Sequence, residues 1–296
     1  MSAEDQPQDG RKGQRQGIVP RRGDDNPGAA AGLRHSRDPV RVLTRTFTPC
    51  NLTLAPTTHN LQPEIRFMTS AIIVAAGKGT RMGPTQDKLF LEIAGKPVVV
   101  HTWQRFAEAE CIDDIILVVR EGMQSAFEEL AKRFQLGKPF RLVAGGAERQ
   151  DSVWNGLEAA GEETEIVAIQ DAARPCTSGR LIADTVTMAR ENGAAVAAQP
   201  VTDTIKESVD GKSVTRTLDR SLLWSVQTPQ TFRIEILRHA LSEARNRGLL
   251  ITDDTAACEL IGQPVRLVTS AEPNPKVTRR EDLAYVEMLL RNRAPA

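Results

Sequence analysis

Lys78, Arg81 and Lys88 punctuate the stretch IIVAAGKGTRMGPTQDK, which runs from Ile72 to Lys88. Backbone N–H groups in a glycine-rich turn after a strand can converge on phosphate, and nearby cations can meet its charge. Three phosphate-binding patterns compete for the stretch. A dinucleotide fold requires G-x-G-x-x-G, whereas Gly77, Gly79 and Gly83 are spaced G-x-G-x-x-x-G. A P-loop requires G-x-x-x-x-G-K-[ST], and no Gly-Lys-Ser/Thr follows at that distance. A nucleotidyltransferase loop wraps a triphosphate in backbone donors, with an arginine and a lysine further along; Arg81 and Lys88 suit that role. A plain strand-to-helix turn would explain the glycines but not Arg81, Lys88 and Lys96 gathered beside them.

Nucleotidyl transfer needs a held triphosphate, a nucleophile in line with the α-phosphorus, and neutralised charge as pyrophosphate leaves. Positioning and electrostatics carry the rate. That chemistry calls for Arg and Lys near the phosphates, with Mg²⁺ or another divalent cation bound mainly through the phosphate oxygens. A carboxylate at a strand end can hold ribose hydroxyls, the metal or the acceptor. Asp171 follows a buried-looking strand, and Arg174 lies three residues on. Asp171 could equally be a helix N-cap, and Arg174 a structural partner of a carboxylate. Lys206, Arg216 and Arg220 read most simply as solvated charge, and Lys276, between Pro275 and Val277, as surface.

These residues need a scaffold. Apolar runs predict strands at Ala71–Ala75, Asp114–Val119, Phe140–Val143, Ile166–Gln170, Ala194–Ala198 and Val265–Thr269. Helical patterns predict helices at Pro97–Ala109, Gly122–Phe134, Asp151–Ala160, Ser178–Asn192, Arg233–Arg245, Asp253–Ile261 and Arg279–Leu290. Thr278 with Glu281 predicts a capping box for the last helix. Alternating β and α elements imply an α/β fold, a mostly parallel sheet with helices on both faces and ligands at the strands' carboxyl ends. The glycine-rich turn, GGAERQDS and DAARP all fall at such ends. Between Val201 and Gln230 the pattern breaks, and alternation around Asp210-Gly211 predicts a hairpin. A hairpin inserted there would project from the sheet, as an ordinary surface feature or as an arm that embraces a second copy.

Composition limits the function. The 296 residues suffice for one large domain or two small ones. Zero formal net charge argues against a general nucleic-acid coat. No apolar run approaches the roughly 18 residues that span a membrane. The four cysteines, Cys50, Cys111, Cys176 and Cys258, are widely separated, which suggests neither zinc nor a disulfide framework and favours a reduced, cytoplasmic setting. Met1 to about Arg66 is rich in Pro, Gly, Arg, Asp and Asn without sustained period and reads as a disordered extension over 1–67. It could be a targeting segment, although Glu4, Asp5 and Asp9 oppose that, a functional tail, or a consequence of a true start at Met68. The folded domain is then expected over 68–293, with the arm at about 201–226.

The motifs AAGKGTRM, DKLFLEIAGKPVVVHTW, GGAERQDSV, QDAARP, DTIK, TLDR, LWSVQTPQTF, ITDD and PKVTRREDL occur in an order that resembles the 2-C-methyl-D-erythritol 4-phosphate cytidylyltransferases. The resemblance covers about Thr69 to Arg291. It implies a Rossmann-like core, an interlocking β-arm and a homodimer. It implies CTP and methylerythritol phosphate as substrates, with CTP held by Ala75, Ala76, Gly77, Gly79, Gly146, Ser152 and Asp171. Arg81 and Lys88 would stabilise transition-state charge. Asp171, Arg174, Thr204, Arg220, Thr228 and Lys276 would serve the acceptor, Thr204 and Arg220 from the partner's arm, and Arg220 and Lys276 would count with the catalytic set. No metal ligand is assigned.

Two positions depart from the family pattern. Gln170 stands where many relatives have His, and Pro275 interrupts a motif that often reads N-[IF]-K. Both touch the acceptor side, which leaves ribitol-5-phosphate cytidylyl transfer as a rival. A catalytically silent nucleotide-binding protein is a rival of another class, opposed by the presence of both Arg81 and Lys88.

Overall fold

A computed structural model describes residues 67–77 and 87–292. The expected N-terminal disorder, and Lys78, Gly79, Arg81 and Gly83, therefore lie outside the described residues.

The first described element is β1 (Met68–Ala75); a short 3-10 turn at Lys88–Phe90 leads into β2 (Glu92–Ile93) and β3 (Lys96–Pro97). There follow α1 (Val98–Glu108), β4 (Asp114–Val119), α2 (Gln124–Arg133), β5 (Phe140–Ala144), α3 (Arg149–Glu158), β6 (Thr164–Asp171), α4 (Gly179–Asn192) and β7 (Ala194–Pro200). The remaining elements are β8 (Lys206–Glu207), β9 (Arg216–Thr217), β10 (Trp224–Arg233), α5 (Ile234–Asn246), α6 (Asp254–Leu260), β11 (Arg266–Thr269) and α7 (Asp282–Arg291). One sheet has the order β11-β7-β10-β6-β1-β4-β5. Strand β1 runs parallel to β4 and β6, β4 parallel to β5, and β7 parallel to β11.

Strand alternation explains why both faces are covered. Ala71 and Ile73 join Ile115, Leu117 and Val119 in one apolar layer, against Val99, Trp103 and Phe106 of α1. Ile72 joins Ile116, Val118, Val167 and Ile169 on the other face, against Val153 and Leu157 of α3 and Leu237 and Leu241 of α5. Each of the Val, Leu, Ile and Phe side chains, fully buried, contributes about 1.5–3 kcal/mol relative to exposure. Gly156 lets α3 press onto β1: a Cβ there would lie 2.6 Å from Ile72 Cγ2. Among the described residues no helix is long and apolar enough to cross a membrane.

The mostly parallel sheet is as expected, but it contains one strand that was not among the predicted ones. Strand β10 is antiparallel to both β6 and β7, in the middle of the sheet. Its sequence, WSVQTPQTFR, is polar, and a proline ordinarily argues against a central strand. Pro229 is accommodated because the β7 ladder breaks between Val226 and Gln230, so no ladder hydrogen bond is asked of it.

The expected capping box at Thr278 and Glu281 is not formed, and α7 opens without a side-chain cap at Glu281. Asp282, its first residue, instead ties back to the preceding turn, accepting from the Thr278 and Arg279 backbone N–H groups at 2.7 and 2.8 Å and from Thr278 Oγ1 at 2.7 Å. The hairpin at Asp210-Gly211 is present, with Lys206 opposite Thr217 and Glu207 opposite Arg216. Its tip is larger than a two-residue turn. Asp210 Oδ1 accepts from the backbone of Lys212 and Ser213, both at 2.8 Å, and Gly211 takes φ +68°.

Candidate functional site

The carboxyl ends of β1 and β6 open into a cavity of about 390 Å³, which reaches the loop between β5 and α3. Val74, Ala75, Ala76 and Gly77 form its β1 wall, and Gly146, Arg149 and Ser152 face them. Close backbone packing shapes the mouth, since a Cβ on Gly145 would lie 2.3 Å from Ala76 Cβ. Ser152 is buried and accepts from the Gly146 N–H at 3.1 Å, which fixes that loop onto α3. Lys88 also lines the cavity, and its Nζ donates to the Val277 carbonyl at 2.9 Å. That contact ties the segment at Lys88 to the stretch carrying Lys276.

Asp171, the last residue of β6, is the electrostatic centre. Lys276 Nζ lies 2.7 Å from Asp171 Oδ2, Arg174 Nε 3.7 Å from the same oxygen, and Arg149 Nε 3.5 Å from Oδ1. Burial works to raise the Asp171 carboxyl, but Arg149 first and Lys276 next outweigh it and hold it at about 2. The Asp171 N–H donates to Thr228 Oγ1 at 3.1 Å. Asp171 is therefore not a helix N-cap; Ser178 caps α4, accepting from the Leu181 N–H. Burial pulls the Arg174 guanidinium below its usual range, and Asp171 opposes that pull.

The acceptor-side departures prove to be structural neighbours of this centre. Gln170 is fully buried, and its Nε2 donates to Thr177 Oγ1 at 2.9 Å. Asn274 is a buried hub: its Nδ2 donates to the Thr228 carbonyl at 2.8 Å and to Gln227 Oε1 at 3.1 Å, and its own carbonyl accepts from Arg174 Nη1 at 2.7 Å. The Val277 N–H donates to the Ala173 carbonyl at 2.8 Å. These contacts run through Asn274 and Val277, so none of them requires the N–H that Pro275 lacks.

Of the residues singled out from sequence, Ala75, Ala76, Gly77, Lys88, Gly146, Ser152, Asp171 and Lys276 line the one cavity. Arg174 and Thr228 stand just behind Asp171. Thr204 and Arg220 are exposed on the hairpin segment and do not line it; Arg220 Nη1 donates to the Thr202 carbonyl at 2.6 Å. Lys96 points elsewhere, donating to Gln104 at 2.6 Å. Arg81 and Gly79 lie outside the described residues. Arg149 and Asp254 were missed, although both sit inside motifs already noted, GGAERQDSV and ITDD. A basic residue opening a helix at a strand's carboxyl end was the available signal. Among the described residues no group of three or more His, Cys, Asp or Glu is placed to hold a metal.

The family model described as IspD, 2-C-methyl-D-erythritol 4-phosphate cytidylyltransferase, matches residues 69–292. A protein of that name from Geobacillus kaustophilus is 44% identical over 224 residues, covering 75% of this chain and 97% of the relative. Its counterpart from Alkaliphilus oremlandii is 41% identical over 226 residues, covering 76% of this chain and 96% of the relative. The crystal structure of the Thermus thermophilus enzyme of that name superposes with a TM-score of 0.64 at 32% identity, covering 76% of this chain and 99% of that one. The 4-diphosphocytidyl-2C-methyl-D-erythritol synthase of Anaerococcus prevotii gives a TM-score of 0.68 at 29% identity, covering 76% and 96%. This chain belongs to the 2-C-methyl-D-erythritol 4-phosphate cytidylyltransferase family.

Proposed function

We propose that this chain transfers CMP from CTP to 2-C-methyl-D-erythritol 4-phosphate, giving 4-diphosphocytidyl-2-C-methyl-D-erythritol and pyrophosphate in the non-mevalonate route to isoprenoids. One observation carries the reading: the residues that the family resemblance assigns to the nucleotide, from Ala75 to Asp171, meet at a single cavity wherever the structure describes them.

An acceptor phosphate oxygen attacks the α-phosphorus of CTP, the new P–O bond forms, and the bond to the β-phosphate breaks with its electrons leaving on pyrophosphate. The acceptor needs no general base, because a phosphate monoester with a second pKa of about 6 is mostly dianionic at neutral pH. Ala76, Gly146 and Ser152 hold the cytosine end, and the turn through Gly79 wraps the phosphates. Lys88 and Arg81 carry the charge that develops between the α- and β-phosphates. Asp171 orients the ribose and acceptor side, with Lys276, Arg174 and Thr228 around it. Mg²⁺ would bind mainly through the CTP phosphates and further neutralise them. Asp171 is already paired with Arg149, Arg174 and Lys276, which suits an ion that keeps waters and substrate phosphates as its main ligands.

The acceptor site is completed in a homodimer, in which Thr204 and Arg220 reach it from the partner's arm. The exposed apolar residues Val209, Val214 and Leu222 of that segment support an embracing arm. A cytoplasmic location fits the free thiols of Cys111 and Cys258.

Pyrophosphate release with purified protein and Mg²⁺ tests the reading. CTP is varied against ATP, GTP and UTP, and methylerythritol phosphate against ribitol 5-phosphate. Release confined to CTP with methylerythritol phosphate is the expected result. Release with ribitol 5-phosphate instead would keep the nucleotide half and overturn the acceptor half; no release with any pair would overturn both.

A further inference from the structure

Arg149 opens α3 and lines the cavity, and Asp254 opens α6 beneath it. Arg149 Nη1 donates to Asp254 Oδ2 at 2.8 Å, while its Nε faces Asp171. The Asp254 side chain is completely buried, and its Oδ1 finds no hydrogen-bond partner among the described residues. Its backbone N–H donates to Gln230 Oε1 at 3.0 Å, and Gln230 Nε2 donates to Asp253 Oδ2 at 3.1 Å, so α6 is pinned to β10.

Burying a carboxylate is costly, and apolar residues of similar size commonly replace a buried ion pair without loss of stability. Burial pushes the Asp254 carboxyl up, and Arg149 opposes that push. Arg149 in turn is held firmly protonated: burial works against its charge, but Asp254 and Asp171 outweigh it. A stabilising role alone is therefore a weak account of Asp254. Its geometric effect is specific. It occupies one arm of a rigid guanidinium fork and so fixes where the rest points. The Arg149 side chain remains 30% exposed, at the cavity wall between Ser152 and Asp171.

We propose that Asp254 is a positioning residue for the nucleotide, acting through Arg149, which it locks against Asp171 at the cavity wall. The inference rests on the cytidylyltransferase reading. Asp254 touches neither substrate. Its loss leaves Arg149 to swing between Asp171 and solvent, so CTP meets a wall of altered charge. The acceptor side, held by Asn274 and Lys276, stays in place.

The test is a double-mutant cycle of Asp254→Asn and Arg149→Met, read as KM for CTP, KM for the acceptor, kcat and thermal melting. Wild-type protein is assayed first: no turnover there sinks the cytidylyltransferase reading itself. With turnover established, Asp254→Asn should raise KM for CTP by roughly tenfold to a hundredfold, with acceptor KM within about twofold. In the Arg149→Met background, Asp254→Asn should change KM for CTP no further. Arg149→Met alone leaves a buried charge without its partner and can fail to fold. The double variant, which neutralises both groups, is then compared with Asp254→Asn, and equal KM for CTP is expected. Wild-type kinetics in Asp254→Asn, or multiplying losses in the double variant, would overturn the proposal. So would a loss of folding in all three variants, which would assign the pair to stability.

Discussion

Arg149 and Arg220 both sit beside elements the family resemblance marks as functional, yet the structure treats them in opposite ways. Arg149 is held between Asp254 and Asp171, inside a cavity wall built by α3, α6 and β6. Arg220 is exposed, and its hydrogen bond to Thr202 stays within its own segment. The cavity is thus organised within one chain, its charges fixed by burial and by each other. The hairpin's charged side chains pair within their own segment, as Arg216 does with Glu207, while its apolar Val209, Val214 and Leu222 stand exposed. Residues of the first kind need only their own fold to be placed; residues of the second kind wait for a surface to meet.

The sharpest way to break this comparison is at the cavity. Lys88→Ala should lower kcat by about 10² to 10³, the usual cost of removing one preorganised charge donor at a transition state. Binding of CTP, followed by calorimetry, should weaken far less, and normal turnover in this variant would remove Lys88 from the chemistry. At the hairpin, Arg220→Ala should reduce kcat/KM for the acceptor by about tenfold to a hundredfold and leave KM for CTP unchanged, because a truncated charged contact costs about 1.5–3 kcal/mol. Mixing Lys88→Ala and Arg220→Ala subunits sharpens this further. If the arm works on its partner, random reassortment should restore roughly a quarter of wild-type sites; with the arm working in its own chain, the mixture stays inactive.

Asp171 gives a stability test of the same contrast. Its carboxyl is held at about 2 in the folded protein, below the unfolded value of about 3.9. The stabilisation is therefore complete above about pH 4 and is lost as pH falls through about 2, with a size on the order of 2 kcal/mol. Denaturant unfolding of wild type and Asp171→Asn at descending pH should converge across that window; parallel curves would contradict the charge network. The smallest effect is expected at the hairpin tip, where Lys212→Gln should alter stability by less than about 0.5 kcal/mol. Its acceptor kinetics should match wild type, which separates the tip from Arg220.

Much of the cavity was legible because its parts obey local rules. The strand Ala71–Ala75 and the helix Ser178–Asn192 follow from periodicity, and the glycine-rich turn announces a phosphate. Asp171 was visible as a carboxylate at a strand's carboxyl end. Its partners were not: Arg149 and Lys276 reach it from sequence separations that no local pattern encodes, and Asp254 was passed over inside the predicted helix Asp253–Ile261. Strand β10 escaped because its pairing with β6 and β7 overrides its polar composition, and Pro229 sits where the ladder breaks. Asp282, one residue past the expected cap, shows how the geometry of a helix start can outrun its sequence signature.

The most direct test of the central claim is phosphorus NMR of the completed reaction with CTP, Mg²⁺ and methylerythritol phosphate. The account predicts two coupled resonances of a new diphosphate linkage, together with free pyrophosphate. Unchanged CTP and acceptor, or hydrolysis of CTP without that linkage, would contradict it.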